Sequence, residues 1–236
     1  MRSVFKTLAM IALALFGAAS LSAAPKPARA PAANWNTVVT RTAQDTHLLG
    51  NPAAKVKLVE FISYTCPHCA HFEQQAEAQL RLGFVAGGKG SIEVRNFVRD
   101  PIDMTVALLT HCGPPSKFFM NHTAFLRSQS KWIVPYEDPS PSQRQRWFSG
   151  DFKTRTRYIA ADFHLYDIMA SRGYDRTTID KCLADEALAR RLAKSTDDAA
   201  DKDFVPGTPS FMLDGVLLTG TNTWDALRPQ IEARLR

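Results

Sequence analysis

The run Cys66-Pro67-His68-Cys69 limits what this chain can be more than any other feature in it. Two cysteines at i and i+3 on the first turn of a helix bring their sulfurs within bonding distance, so the pair can cycle between dithiol and disulfide. The flanking residues predict that helix. Val56 to Ile62 reads Val-Lys-Leu-Val-Glu-Phe-Ile, a nearly continuous apolar run suited to a strand buried on both faces of a parallel or mixed sheet. After the short Ser63-Tyr64-Thr65 link, Cys69, Phe72, Ala76 and Leu80 recur at steps of three and four, as on one face of a helix. Gly87-Gly88 and Gly90 then break the chain, and Ile92 to Val98 reads as a second strand, completing a β-α-β unit.

Cys66 stands at the N-terminal end of the predicted helix, where unpaired N–H groups and the positive pole of the helix stabilise a thiolate. Cysteines so placed have pKa values of roughly 3.5–7.5 instead of about 8.5. His68 can add positive charge or a hydrogen bond to the sulfur, and Pro67 suits an early helical position where no N–H is needed. A stabilised thiolate stabilises the reduced form and makes the disulfide a stronger oxidant. The alternative is half of a zinc site. That needs a second ligand pair, and the remaining cysteines, Cys112 and Cys182, stand apart from each other; recruiting His71 completes no metal spacing. No metal and no cofactor is therefore expected.

Pro101 to about Lys202 differs in character. Helical spacing recurs in Met104–His111, Phe118–Leu126, Tyr158–Met169 and Leu183–Leu192, punctuated by Gly113-Pro114-Pro115 and the Pro/Ser-rich Pro135–Ser142. Sheet-like sequence then resumes: Phe211 to Leu218 predicts a hairpin turning at Asp214-Gly215, a pair suited to a type I′ turn. Trp224, Leu227, Ile231 and Leu235 mark a closing helix, whose first regular turn is expected only at Pro229. The expected organisation is one α/β domain over residues 33–236, interrupted at about 101–202 by a helical insertion. Phe118, Phe119, Phe125 and Trp132 are expected in the core of that insertion.

The 236 residues carry 29 Lys and Arg against 23 Asp and Glu, a formal +6. No acidic residue precedes Asp45. Arg2 and Lys6 lead into an uncharged stretch to Ala24 with an apolar heart from Leu8 to Phe16, and small residues follow. This is the order of a secretory signal peptide, with residues 1–32 as leader and Pro/Ala tether. Its apolar core is short of the about 20 residues a spanning helix needs; a retained anchor is the other reading. Loss of Arg2 and Lys6 lowers the charge to +4, and loss of Lys26 and Arg29 as well lowers it to +2. With so little charge left and no basic-aromatic motif, no nucleic-acid partner is expected. Export to an oxidising periplasm would favour disulfides. Of the three pairings four cysteines allow, Cys66 with Cys69 leaves Cys112 with Cys182 as a structural bridge, against two buried free thiols.

The segment Val59-Glu-Phe-Ile-Ser-Tyr-Thr-Cys-Pro-His-Cys69 resembles the active site of the DsbA-like thiol:disulfide oxidoreductases, and Gly207-Thr208-Pro209-Ser210-Phe211 resembles the cis-proline loop of thioredoxin-fold proteins. The resemblance implies a thioredoxin-like fold, β-α-β plus β-β-α around a mixed sheet, with a helical domain between the halves. It implies Cys66 as the attacking and Cys69 as the resolving cysteine. Pro209 would be the cis-proline, with Thr208 offering backbone hydrogen bonds to an extended substrate. It further implies disulfide donation to reduced substrate proteins and reoxidation by a membrane quinone-linked DsbB-type partner. A disulfide isomerase or reductase is the alternative, with some support from Thr208, and a non-catalytic peptide-binding chaperone is a third reading. The family also places an acidic residue where Glu60 stands. Alternation puts Glu60 on the strand face of Val56, Leu58 and Ile62, so a raised pKa and proton exchange with Cys69 are expected, unless Glu60 lies peripherally at a sheet end.

Overall fold

In the computed structural model, residues 34–236 are described; the expected leader and tether lie outside them. A six-stranded mixed sheet runs in the order β1-β2-β4-β3-β5-β6. Its central strand β3 (Val56–Ile62) pairs in parallel with β4 (Gly90–Asn96) and antiparallel with β5 (Ser210–Leu213). Flanked on both edges and covered on both faces, β3 is buried at every position but Lys57, which explains its apolar run. β5 and β6 (Val216–Leu217) form the hairpin, with φ of 54° at Asp214 and 82° at Gly215 as a type I′ turn requires. β1 (Val39–Arg41) and β2 (His47–Gly50) extend the sheet beyond β4. Strands of three and four residues are too short to show a period of two, and the sequence reading did not single them out.

The helix of the β-α-β unit, α1 (Pro67–Gln79), begins at Cys66 as N-cap with Pro67 at the first helical position. It continues as a π-helical segment, Leu80–Val85, that turns Phe84 inward. The Phe84 ring lies so close to Gly90 that a Cβ there would meet it at 2.1 Å, which fixes glycine at the start of β4. β4 therefore begins before Ile92 and ends at Asn96, short of the expected Val98.

Only helices separate β4 from β5: α2 (Pro101–Thr110), α3 (Phe118–Arg127), α4 (Gln129–Trp132), α5 (Pro141–Phe148), α6 (Phe152–Asp162), α7 (Leu165–Ser171), α8 (Arg176–Leu183) and α9 (Glu186–Asp201), with two 3-10 turns between them. Two stretches of helical spacing prove discontinuous. Tyr158–Met169 is broken at His164, whose φ of 54° ends α6, and Leu183–Leu192 is broken before Asp185, whose carboxylate caps the Leu188 N–H at 2.8 Å. The last helix, α10 (Trp224–Leu235), starts well before Pro229. Thr223 caps it by accepting from the Ala226 N–H at 3.3 Å, and burial of Trp224 and Leu227 holds the first turn in place.

The two faces of β3 serve different layers. Val59 and Phe61 pack with Ala199 of α9 and Val205, whereas Val56, Leu58 and Ile62 join the large core shared with α1, α3 and α10. Phe118, Phe119, Phe125 and Trp132 are buried in that same core. No helix among the described residues is long and apolar enough to cross a membrane.

Candidate active site

Both redox cysteines carry free thiols and are buried, Cys66 at 2% exposure and Cys69 at 0%. The Cys66 thiol donates to the Thr208 carbonyl at 3.2 Å, and the Thr208–Pro209 peptide is cis. The loop of the second half of the fold thus closes on the cysteine of the first. Pro67 and His68 are exposed beside the pair.

The two sulfurs are electrostatically unequal. The Cys66 thiol is pulled down to about 5, chiefly by the hydrogen bond from the Cys69 thiol; burial opposes this, and the Thr208 side chain and the N–H groups of Cys69 and His68 add to it. Among the described residues the Thr208 hydroxyl has no other partner, so it is free to donate to a thiolate. The part of His68 in that lowering comes through its backbone N–H. Burial drives Cys69 the other way, well above an ordinary thiol, and the neighbouring Cys66 adds to the rise.

Glu60 sits at 3% exposure in the middle of β3, on the face of Leu58 and Ile62, between Val94 and Phe211 of the flanking strands. It is not peripheral. Burial, with help from the charge of Glu73, pushes its carboxyl up to about 8. Its charge acts on Cys69, and its Oε1 has no partner among the described residues. It opens on a cavity of about 20 Å³ shared with Glu73, His122 and Thr123, room for about one water molecule. Burial raises Glu73, but the hydrogen bond and charge of His122, with Thr123 and Arg81, outweigh it and hold that carboxyl below its usual value. His122 Nε2 lies 3.7 Å from Glu73 and Nδ1 lies 3.0 Å from the Tyr64 hydroxyl. Both contacts are satisfied when Tyr64 donates to Nδ1 and the Nε2 hydrogen faces Glu73.

The link before Cys66 is held from the helical segment. The Tyr64 N–H donates to Asp103 at 2.7 Å and the Thr65 hydroxyl to Asp100 at 2.9 Å. The buried Gln129 amide donates to the carbonyls of Tyr64, at 2.6 Å, and Cys66, at 2.9 Å. Sequence reasoning missed these residues. Glu73, four positions after Cys69 on the same helix face, could have been found by spacing. Gln129 and His122 carry no such signal.

Cys112 and Cys182 form a disulfide between the residue following His111 and α8, with Cα atoms 5.6 Å apart. Closing a separation of 70 residues contributes about 4 kcal/mol in the chain-entropy account. It lies in the helical segment. Among the described residues, no group of three or more His, Cys, Asp or Glu is arranged to hold a metal.

Residues 42–233 match the family model described as thioredoxin. The chain belongs to the thioredoxin family. A crystal structure named protein-disulfide isomerase, from Novosphingobium aromaticivorans, is 65% identical, with a TM-score of 0.79, covering 81% of this chain and 97% of that one. The α-DsbA1 structure of Wolbachia pipientis, at 20% identity and a TM-score of 0.63, covers 80% of this chain and 89% of that one and shares the fold. A Rickettsia felis protein provisionally named a protein-disulfide oxidoreductase is 27% identical over 189 residues, covering 80% of this chain and 59% of its own length. The chain thus spans less than two thirds of that relative.

Proposed function

We propose that this protein is a thiol:disulfide oxidoreductase that donates a Cys66–Cys69 disulfide to reduced substrate proteins. The observation that carries the reading is the inequality of the two sulfurs, with Cys66 near 5 and Cys69 far above it. In the oxidised enzyme a substrate thiolate attacks the Cys66 sulfur. The Cys66–Cys69 bond breaks, and Cys69 leaves with the electron pair and takes a proton from the Glu60 carboxyl. A second substrate thiolate attacks the substrate sulfur of the mixed disulfide and expels Cys66, which is stable as a thiolate. The substrate gains one disulfide and the enzyme two electrons; the Cys69 thiol proton comes from Glu60, whose carboxylate regains a proton from solvent. Pro209 and Thr208 are assigned to substrate binding beside the pair.

Stabilising the Cys66 thiolate favours the reduced enzyme. A fall from 9.0 to about 5 is worth about 3 kcal/mol at pH 7, or about 60 mV in a two-electron couple. Equilibration against glutathione buffers tests the reading: a potential near about −120 mV fits an oxidase, and one near about −270 mV a reductase. The isomerase reading draws on the name of the 65% identical structure. Efficient unscrambling of scrambled ribonuclease with poor oxidation of the reduced protein would favour it. The oxidase reading includes export to the periplasm by the N-terminal leader and reoxidation by a membrane quinone-linked DsbB-type partner. Accumulation of the protein as dithiol in membranes depleted of quinone would support that partner.

A further inference from the structure

Four non-glycine residues among those described have positive φ: Asp45, His164, Asp214 and Phe204. Three are of the polar types that tolerate this region through local hydrogen bonding, but a bulky apolar residue there is an outlier. Phe204, at φ 55°, turns the chain out of α9, and the Val205 N–H returns to the Ala199 carbonyl at 3.0 Å. Helix exits of this kind ordinarily take glycine or asparagine. Packing does not account for the phenylalanine, since Phe204 is 77% exposed. It is strained and it presents an aromatic ring to water, two features that each oppose stability.

The ring stands on the wall of a groove of about 560 Å³ that also includes His68, Gly207, Thr208, Pro209 and Leu217. The groove therefore runs without interruption from Phe204 to the residues that touch Cys66. Among the described residues, no Asp, Glu, Lys or Arg lines it. With His68 as its one titratable side chain and an exposed ring at its wall, the groove suits an apolar side chain better than a charged one.

We propose that Phe204 is a specificity-determining residue: it packs against a bulky apolar side chain of an extended substrate segment whose cysteine reacts at Cys66. The inference rests on the oxidase reading and names the substrate class it would select. Reduced substrate proteins are rich in such segments, because apolar side chains destined for the core are exposed before folding.

The test uses two synthetic peptides, each with two cysteines, identical except that one carries Leu and Phe beside the first cysteine and the other Ser and Asn. The oxidised enzyme is expected to favour the apolar peptide about ten-fold in kcat/KM, about 1.4 kcal/mol, with the difference in KM. Phe204→Gly and Phe204→Asn are expected to bring that ratio close to one while melting no lower than wild type, because both residues accept the left-handed conformation. A wild-type ratio near one, or a ratio retained in both variants, overturns the inference and leaves the oxidase reading intact. A lower Tm in both variants also overturns it, by making Phe204 a structural residue. A wild-type protein that oxidises neither peptide refutes the oxidase reading and this inference with it.

Discussion

Replacing Cys69 by alanine should make Cys66 a less acidic thiol. The largest influence holding the Cys66 thiol near 5 is the hydrogen bond from the Cys69 thiol. A hydrogen bond to a charged group contributes about 1.5–3 kcal/mol, which corresponds to about 1–2 pKa units. Cys69→Ala should therefore bring Cys66 to roughly 6–7, whereas Cys69→Ser, which keeps a donor at that position, should leave it near 5. Thiolate absorbance at 240 nm against pH reads both values, and the pH dependence of alkylation by iodoacetamide provides a second measurement. The linkage to stability has a definite sign. Cys66 is an acid whose folded value lies below its unfolded one, so its thiolate stabilises the reduced protein above the unfolded pKa. That stabilisation is lost as pH falls through about 5. Cys69→Ala should remove about 1–2 kcal/mol of it at neutral pH, beyond any packing loss the serine variant shares. If alanine and serine variants titrate together at about 5, the helix terminus and Thr208 are sufficient and the argument from the second thiol fails.

Glu60 carries the opposite sign. Its folded value near 8 lies above the ordinary 4.5, so the fold is less stable as pH rises between them. Glu60→Gln should raise stability at pH 7 by up to about 3 kcal/mol and flatten that slope in urea unfolding, while slowing release or uptake of the Cys69 proton. Exchange rates with an unchanged pH profile would remove Glu60 from proton transfer. Gln129→Leu leaves the buried Tyr64 carbonyl without its side-chain donor and the Cys66 carbonyl with the Ala70 N–H alone, and should destabilise the fold on the order of 1–3 kcal/mol. It should also shift the glutathione equilibrium of the redox pair, because the backbone on which Cys66 stands is released. A variant that loses stability while keeping the wild-type potential would reduce Gln129 to a structural role.

What could be read from the sequence was local or periodic. Cys66 at the N-terminal end of α1 follows from spacing alone, and the burial of Glu60 follows from strand alternation, because each signal lies within one element. The short strands β1 and β2 gave no such signal. α10 did show its helical spacing, but its start is decided by the Thr223 cap and the buried Trp224 and not by Pro229. Phe204 shows the limit from another side: its residue type favours a buried strand or helix position, and only the backbone places it, exposed, at a left-handed turn.

The long-range contacts explain why a helical segment is inserted into this sheet at all. The link Ser63-Tyr64-Thr65 holds itself only in part, with the Thr65 N–H donating to the Ser63 hydroxyl at 3.3 Å and the Cys66 N–H to the Ser63 carbonyl at 3.2 Å. All three residues are buried, so their remaining polar groups need partners from elsewhere. Asp100, Asp103 and Gln129 supply them, and His122 reaches Tyr64 and Glu73 from α3. Each arrives from a residue 35 to 65 positions along the chain, beyond any sequence period. The strand and helix place the two sulfurs; the insertion fixes the peptide between strand and helix and closes the far side of the Glu60 cavity. On this account the inserted helices are part of the redox centre. A variant that weakens their packing while sparing the sheet should lose the low Cys66 pKa before it loses the fold.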